Sequence, residues 1–77
     1  NYFSQLAKLQ QTGLVKDYVH QFQNISLRVE NIPEENLNDL FLGGLKDHIE
    51  HELRMFNPIK LSDSIIMARH VEEKILY

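Results

Sequence analysis

Four histidines, two pairs of adjacent glutamates, four serines and a Gly-Gly step are the residues of this chain whose types could support chemistry. His48 and His51 stand at i, i+3 with Glu50 and Glu52 close by, a spacing that places two imidazoles along one side of a helix and could seed a metal site. Two ligands need at least one more from elsewhere and a hydrogen-bonded shell to orient the rings. Nothing in the sequence brings His20 or His70 to them. The His-Glu-x-x-His zinc signature is absent, since Ile49 follows His48 and the second histidine comes one place early. Asp47 to Glu52 instead reads as a solvated helix face around one apolar anchor, Ile49. No metal and no cofactor is expected.

Nucleophilic and acid–base chemistry fare no better. Ser4, Ser26, Ser62 and Ser64 fall on helices or caps, and none sits in a Gly-x-Ser-x-Gly turn. Glu34-Glu35 and Glu72-Glu73 are adjacent in sequence, so their side chains diverge by about 100° on a helix rather than converge on a substrate. Gly43-Gly44 has no following Lys-Ser/Thr and is not a phosphate loop. No catalytic residue is expected, and the chain reads as a non-enzyme.

The composition agrees. Seventy-seven residues allow one domain, and a chain of this size buries only roughly 60–65% of its unfolded surface. No cysteine is present to add a disulfide or a thiolate zinc site. Such a thin core favours a partner, because association adds stability by mass action. Eight Lys and Arg against eleven Asp and Glu give a net charge of −3. The basic residues are spread over every helix, so the phosphate-neutralising face of a nucleic-acid binder is missing. The apolar runs are too short to span a membrane. A chain beginning at Asn1 with no cysteine reads as a fragment of a longer polypeptide, intracellular and cytoplasmic.

The elements carrying these residues are helices. A first segment with Tyr2, Leu6 and Leu9 on one stripe is expected to end at Gln11-Thr12-Gly13, with Gly13 as its stop. A second runs through Val15, Tyr18, Val19, Phe22, Ile25 and Val29 at a 3.6 period until Asn31-Ile32-Pro33 breaks it. A third begins at Pro33, with Glu34 and Glu35 against the positive end of its dipole and Leu37, Leu40, Phe41 and Leu45 as its buried stripe. A fourth, near 46–56, turns Ile49, Leu53 and Phe56 inward and ends at Asn57-Pro58. The fifth takes Ser62 as N-cap and pairs Leu61 with Ile66 as a hydrophobic staple, with Ile65, Ala68, Val71 and Ile75 facing the core. Lys74 to Tyr77 continue it. Leu27, Leu42 and Met67 fall off the main stripes, where a surface patch for another protein would lie. The fold class is all-α: one compact bundle of five short helices over residues 1–77.

The run Leu6-Ala7-Lys8-Leu9-Gln10-Gln11-Thr12-Gly13-Leu14-Val15-Lys16-Asp17-Tyr18-Val19-His20-Gln21-Phe22 resembles the Gag polyproteins of Ty3/gypsy-type long-terminal-repeat retrotransposons. Those carry a Leu-x-x-Leu-x-Gln helix, a Gly turn, then Val-x-(Glu/Asp)-Tyr-x-x-x-Phe. Phe41-Leu42-Gly43-Gly44-Leu45-Lys46-Asp47-His48-Ile49 is similar to the Phe-x-x-Gly-Leu-x-x-x-Ile element of that family, and Leu61 to Ala68, continuing to Glu72, to its closing helix. The likeness covers essentially the whole chain, in order. It points to the C-terminal, dimerising domain of the capsid protein, also found as the Arc-like lobe of domesticated Gag descendants.

The resemblance implies that Gln11 to Phe22 correspond to a shortened major homology region. Gln11, Gly13, Asp17, Tyr18 and Phe22 join Phe41, Gly44 and Leu45 as its motif and core residues. The family has Ser or Thr where this chain has Leu14, so the N-cap expected there is lost, with Thr12 as its substitute through a shifted helix start. By analogy with retroviral capsids the third helix pairs two copies, through Glu35, Asn36, Asp39, Leu42 and Gly43. Glu35 and Asp39 near a two-fold axis make that contact weak and salt-dependent. The first helix, with Tyr2 and Phe3, is the rival face. The implied function is a structural self-association module whose partner is itself, as a homodimer and in higher-order, virus-like particles. The alternative is a domesticated adaptor lobe that binds a host protein. Neither nucleic acid nor a membrane is expected as a direct partner, and RNA packaging falls to a zinc knuckle outside this segment.

Overall fold

Val15, Tyr18, Val19 and Phe22 recur every three or four residues, and this stripe lies at the centre of the molecule as the buried face of a 12-residue helix, Val15–Ser26. The computed structural model describes residues 1–76, and the expected helical end at Tyr77 lies outside them. Within these residues the order is α1 (Tyr2–Lys8), α2 (Val15–Ser26), α3 (Glu34–Gly44), α4 (Asp47–Phe56) and α5 (Leu61–Leu76). The described residues form no strand. The bundle extends over 37 × 23 × 17 Å. This is the all-α class that the periodicity predicts.

The core is built around three aromatic rings. Tyr18, Phe22 and Phe41 stand with centroids 5.2–6.1 Å apart, Phe22 meeting Phe41 edge-on at 83°. Leu6 from α1, Ile49 and Leu53 from α4, and Ala68 and Val71 from α5 close around them. α3 packs against α1, α4 and α5. A helix covered on three sides buries more than one stripe, and this overturns the outward placement of Leu42. Leu42 is 5% exposed and belongs to the core, whereas Leu37 and Leu40 are only partly buried. Met67 likewise packs on the core, while Leu27 is exposed.

Several boundaries differ from the expected ones. α1 stops at Lys8, and Leu9 turns extended at φ −64°, ψ 132°. Gly13 has no positive φ and is not a left-handed stop. The chain leaves the helix early because the Gln11 N–H donates to the Gly44 carbonyl at 2.7 Å, which needs residues 9–14 to cross to the end of α3. α2 ends at Ser26, before Val29, and Asn31 adopts φ 62° on the way to Pro33. Pro33 caps α3 instead of opening it. α4 closes on Asn57 in the left-handed region, as the Asn-Pro pair predicts.

α5 starts at Leu61, so Ser62 is not its cap. The Glu34 carboxylate takes the Leu61 N–H instead, at 3.3 Å. Ile66 lies on the outer side of α5, exposed, and forms no staple. Phe56 and Ile75 hold core-facing helical phases but are 64% and 58% exposed, since both overhang the end of their helix's buried stretch.

Candidate functional site

The motif residues expected from sequence meet where the 9–14 segment crosses the junction of α3 and α4. Gln11 is buried and uses its whole amide. Its Nε2 donates to the Gly13 carbonyl at 2.9 Å, and its Oε1 accepts the Lys46 N–H at 2.9 Å. With the backbone bond to Gly44, one residue holds the Gly13 turn, the end of α3 and the start of α4 together. Leu45, buried between the two helices, fills the space beneath.

Tyr18 reaches the same junction from α2. Its hydroxyl donates to the Phe41 carbonyl at 2.9 Å inside the core. Burial, with the Glu50 carboxylate adding to it, pushes the phenol pKa well above its ordinary value. Gly44 is where the backbone passes this ring. A Cβ on Gly44 would lie 2.1 Å from the Tyr18 hydroxyl oxygen and 2.4 Å from the Leu9 carbonyl oxygen. The glycine is required by close approach rather than by its φ. Phe22 packs behind, and Asp17 and Gly13 sit on the exposed side.

The start of α2 is held differently from expectation. Leu14 is the N-cap position and supplies no side-chain hydrogen bond. Thr12 does not replace it, because the helix start is not shifted. The Val15 N–H donates instead to Glu72 Oε2 at 2.8 Å, from α5. Sequence alone carries no sign of this contact, which joins residues 57 positions apart. The same is true of a buried polar pair on the other side of α3. Asn38 Nδ2 donates to the Pro58 carbonyl at 2.8 Å, and its Oδ1 accepts from the Ser64 hydroxyl.

Of the residues expected on the pairing face of α3, Glu35, Asn36, Asp39 and Gly43 are exposed, and only Leu42 is turned inward. The face also includes Arg54 of α4. Its Nη1 pairs with Asp39 Oδ1 at 3.0 Å and its Nε with Glu50 Oε2 at 2.9 Å. The Glu50 hydrogen bond first, and Asp39 after it, hold the Arg54 pKa above its ordinary value. Glu50 and Arg54 are spaced i, i+4, so half of this cluster is readable from sequence. Phe3 of α1 borders the same face, forming with Glu35, Asn36, Asp39 and Leu40 a shallow depression of about 260 Å³. The two rival faces, α1 and α3, are therefore contiguous.

His20, His48, His51 and His70 are all exposed. Among the described residues no group of three or more His, Asp or Glu is placed to hold a metal ion. An open groove of about 310 Å³ lies between the start of α4 and the end of α5, with Leu14, Ile49, Ile75 and Leu76 on its walls. Among the described residues no helix is long and apolar enough to cross a membrane.

No curated protein and no solved structure matches the chain. A family model described as PEG10/RTL1, C-terminal capsid-like domain, matches residues 4–75. That span takes in the whole Gln11–Gly44 junction and all or most of every helix. The chain belongs to the PEG10/RTL1 C-terminal capsid-like domain family, a Gag-derived capsid-like domain.

Proposed function

We propose that the domain is a structural self-association module, pairing two copies through the outer face of α3 and linking subunits in a capsid-like particle. The observation that carries the reading is the charge pattern on that face. Glu35 and Asp39 lie along this face, and Arg54 of α4 pairs with Asp39 at 3.0 Å. A two-fold contact is self-complementary only if each group meets its opposite on the mate. In the proposed pairing Arg54 of one copy lies against Asp39 of the other. Without Arg54 the carboxylates would face each other and oppose pairing.

Gly43 lets two helices come close, since the nearest atom to a Cβ there is Arg54 Nη2 at 4.0 Å. Phe3 takes the apolar role assigned to Leu42 by sequence. The interface is small and mostly polar, so the dimer is weak and salt-sensitive. Sedimentation equilibrium over a concentration series tests the reading. Reversible dimerisation that Arg54→Glu weakens about tenfold or more supports it, in line with charged contacts at interfaces. A monomer up to millimolar concentration contradicts it.

The groove lined by Leu14, Ile49, Ile75 and Leu76 favours a second reading, an adaptor lobe that takes a host peptide. Replacing Leu14 with Asp would then abolish peptide capture without changing self-association.

A further inference from the structure

We infer that Glu72 is a distal cap that straps the end of α5 to the start of α2, making the homology motif conditional on the docking of the last helix. The inference does not depend on whether the domain dimerises.

The first turn of a helix presents N–H groups that have no partner within it. In α2, Asp17 and Tyr18 turn theirs back to the Leu14 carbonyl, at 3.1 and 3.2 Å. The Val15 N–H is different, because Val15 is fully buried and its donor lies beneath the Glu72 side chain. A buried donor left alone is costly. As the first residue of the helix, Val15 lies out of reach of an N-cap side chain, and Glu72 is the acceptor the structure provides. A carboxylate is also the group best suited to the positive end of a helix.

Glu72 follows Val71, the last core residue of α5, and the turn beyond it is exposed. Ile75 and Leu76 overhang, exposed. The other polar fastening there is the surface pair of Lys74 with Glu52 of α4, and surface pairs of this kind hold weakly. Loss of the Glu72 contact therefore frees two elements at once: the end of α5, and the α2 turn that follows the Gln11 clamp. A serine or threonine at position 14 would cap the Lys16 or Asp17 N–H and so steady the same turn locally, without reaching the Val15 donor. With leucine there, Glu72 is the side chain that holds this turn.

A double-mutant cycle on the full 77-residue chain tests this, using Glu72→Ala, Leu14→Ser and the pair together, with thermal midpoints and amide exchange as readouts. Leu14 is substantially exposed, so its replacement disturbs little packing. Glu72→Gln, which keeps an acceptor oxygen without the charge, supplies a folded control should Glu72→Ala not fold. Glu72→Ala is expected to speed exchange at Val15 and along residues 73–76 together, by about tenfold or more. Leu14→Ser is expected to raise the midpoint more when combined with Glu72→Ala than in the native chain. In the double variant the Lys16 and Asp17 amides regain protection, while Val15 and the end of α5 stay loose. Unchanged exchange at Val15 in Glu72→Ala would overturn the proposal, and so would an equal effect of Leu14→Ser in both backgrounds, because independent sites add.

Discussion

Gly43 and Gly44 look alike in the sequence and sit in opposite environments. At Gly44 a methyl group would collide with the Tyr18 hydroxyl and the Leu9 carbonyl, one of them backbone that cannot step aside. Gly44→Ala is expected to destabilise the domain by about 3 kcal/mol or more, read from the urea midpoint. Gly43 has open space and a helical backbone, so Gly43→Ala should stabilise the monomer by about 0.5–1 kcal/mol. Tyr18 yields a pH prediction. Its phenol ionises near its ordinary value of about 10 in the unfolded chain, while in the fold burial holds the pKa higher. The folded state then binds more protons, so this contribution falls as pH rises above about 10, by about 1.4 kcal/mol per pH unit until the folded group ionises. Denaturant titrations at pH 8 to 11 should show that loss for the native chain, and Tyr18→Phe should flatten it. An unchanged slope in Tyr18→Phe would mean the phenol is not protected.

At the scale of elements, periodicity is legible in the sequence, and anything carried by a distant partner is not. The α2 stripe is a run of apolar residues at one period, and it is buried as that pattern demands. α3 carries apolar residues on more than one side: its expected stripe packs on the core, with Phe41 and Leu45 buried, but Leu42 is buried as well because three neighbouring helices cover α3, a fact of tertiary arrangement. The caps show the same division. Asn57 ends α4 by a local rule, whereas α5 begins with help from Glu34 and α2 with help from Glu72, each from another helix. Of the site, the Gln11, Tyr18, Phe41 and Gly44 motif is visible in the sequence, Arg54 is half visible through its spacing from Glu50, and Asn38 is not visible at all. The buried Asn38 is expected to matter as much as an apolar core residue. Asn38→Ala strips partners from the Ser64 hydroxyl and the Pro58 carbonyl, and should cost about 2–3 kcal/mol of stability, read from the urea midpoint. Asn38→Ala combined with Ser64→Ala should cost less than the sum of the two, since the second removes a group the first has orphaned.

The whole molecule is a thin bundle with a small core, an apolar overhang at the ends of α4 and α5, and an outer α3–α4 face where Arg54 lies beside Asp39 and Glu50. Association would add stability to so thin a core by mass action. The central claim is that two copies meet with Arg54 of one against Asp39 of the other. Complementary charge reversal tests it most directly, by analytical ultracentrifugation of Arg54→Glu alone, Asp39→Lys alone and the two mixed in equal amounts. Each variant alone sets like charges against each other and should be monomeric where the native chain dimerises. The mixture restores an opposite pair at both ends of the two-fold contact and should recover a heterodimer of native affinity. Full dimerisation of either variant alone, or a mixture that stays monomeric, would contradict pairing through this face.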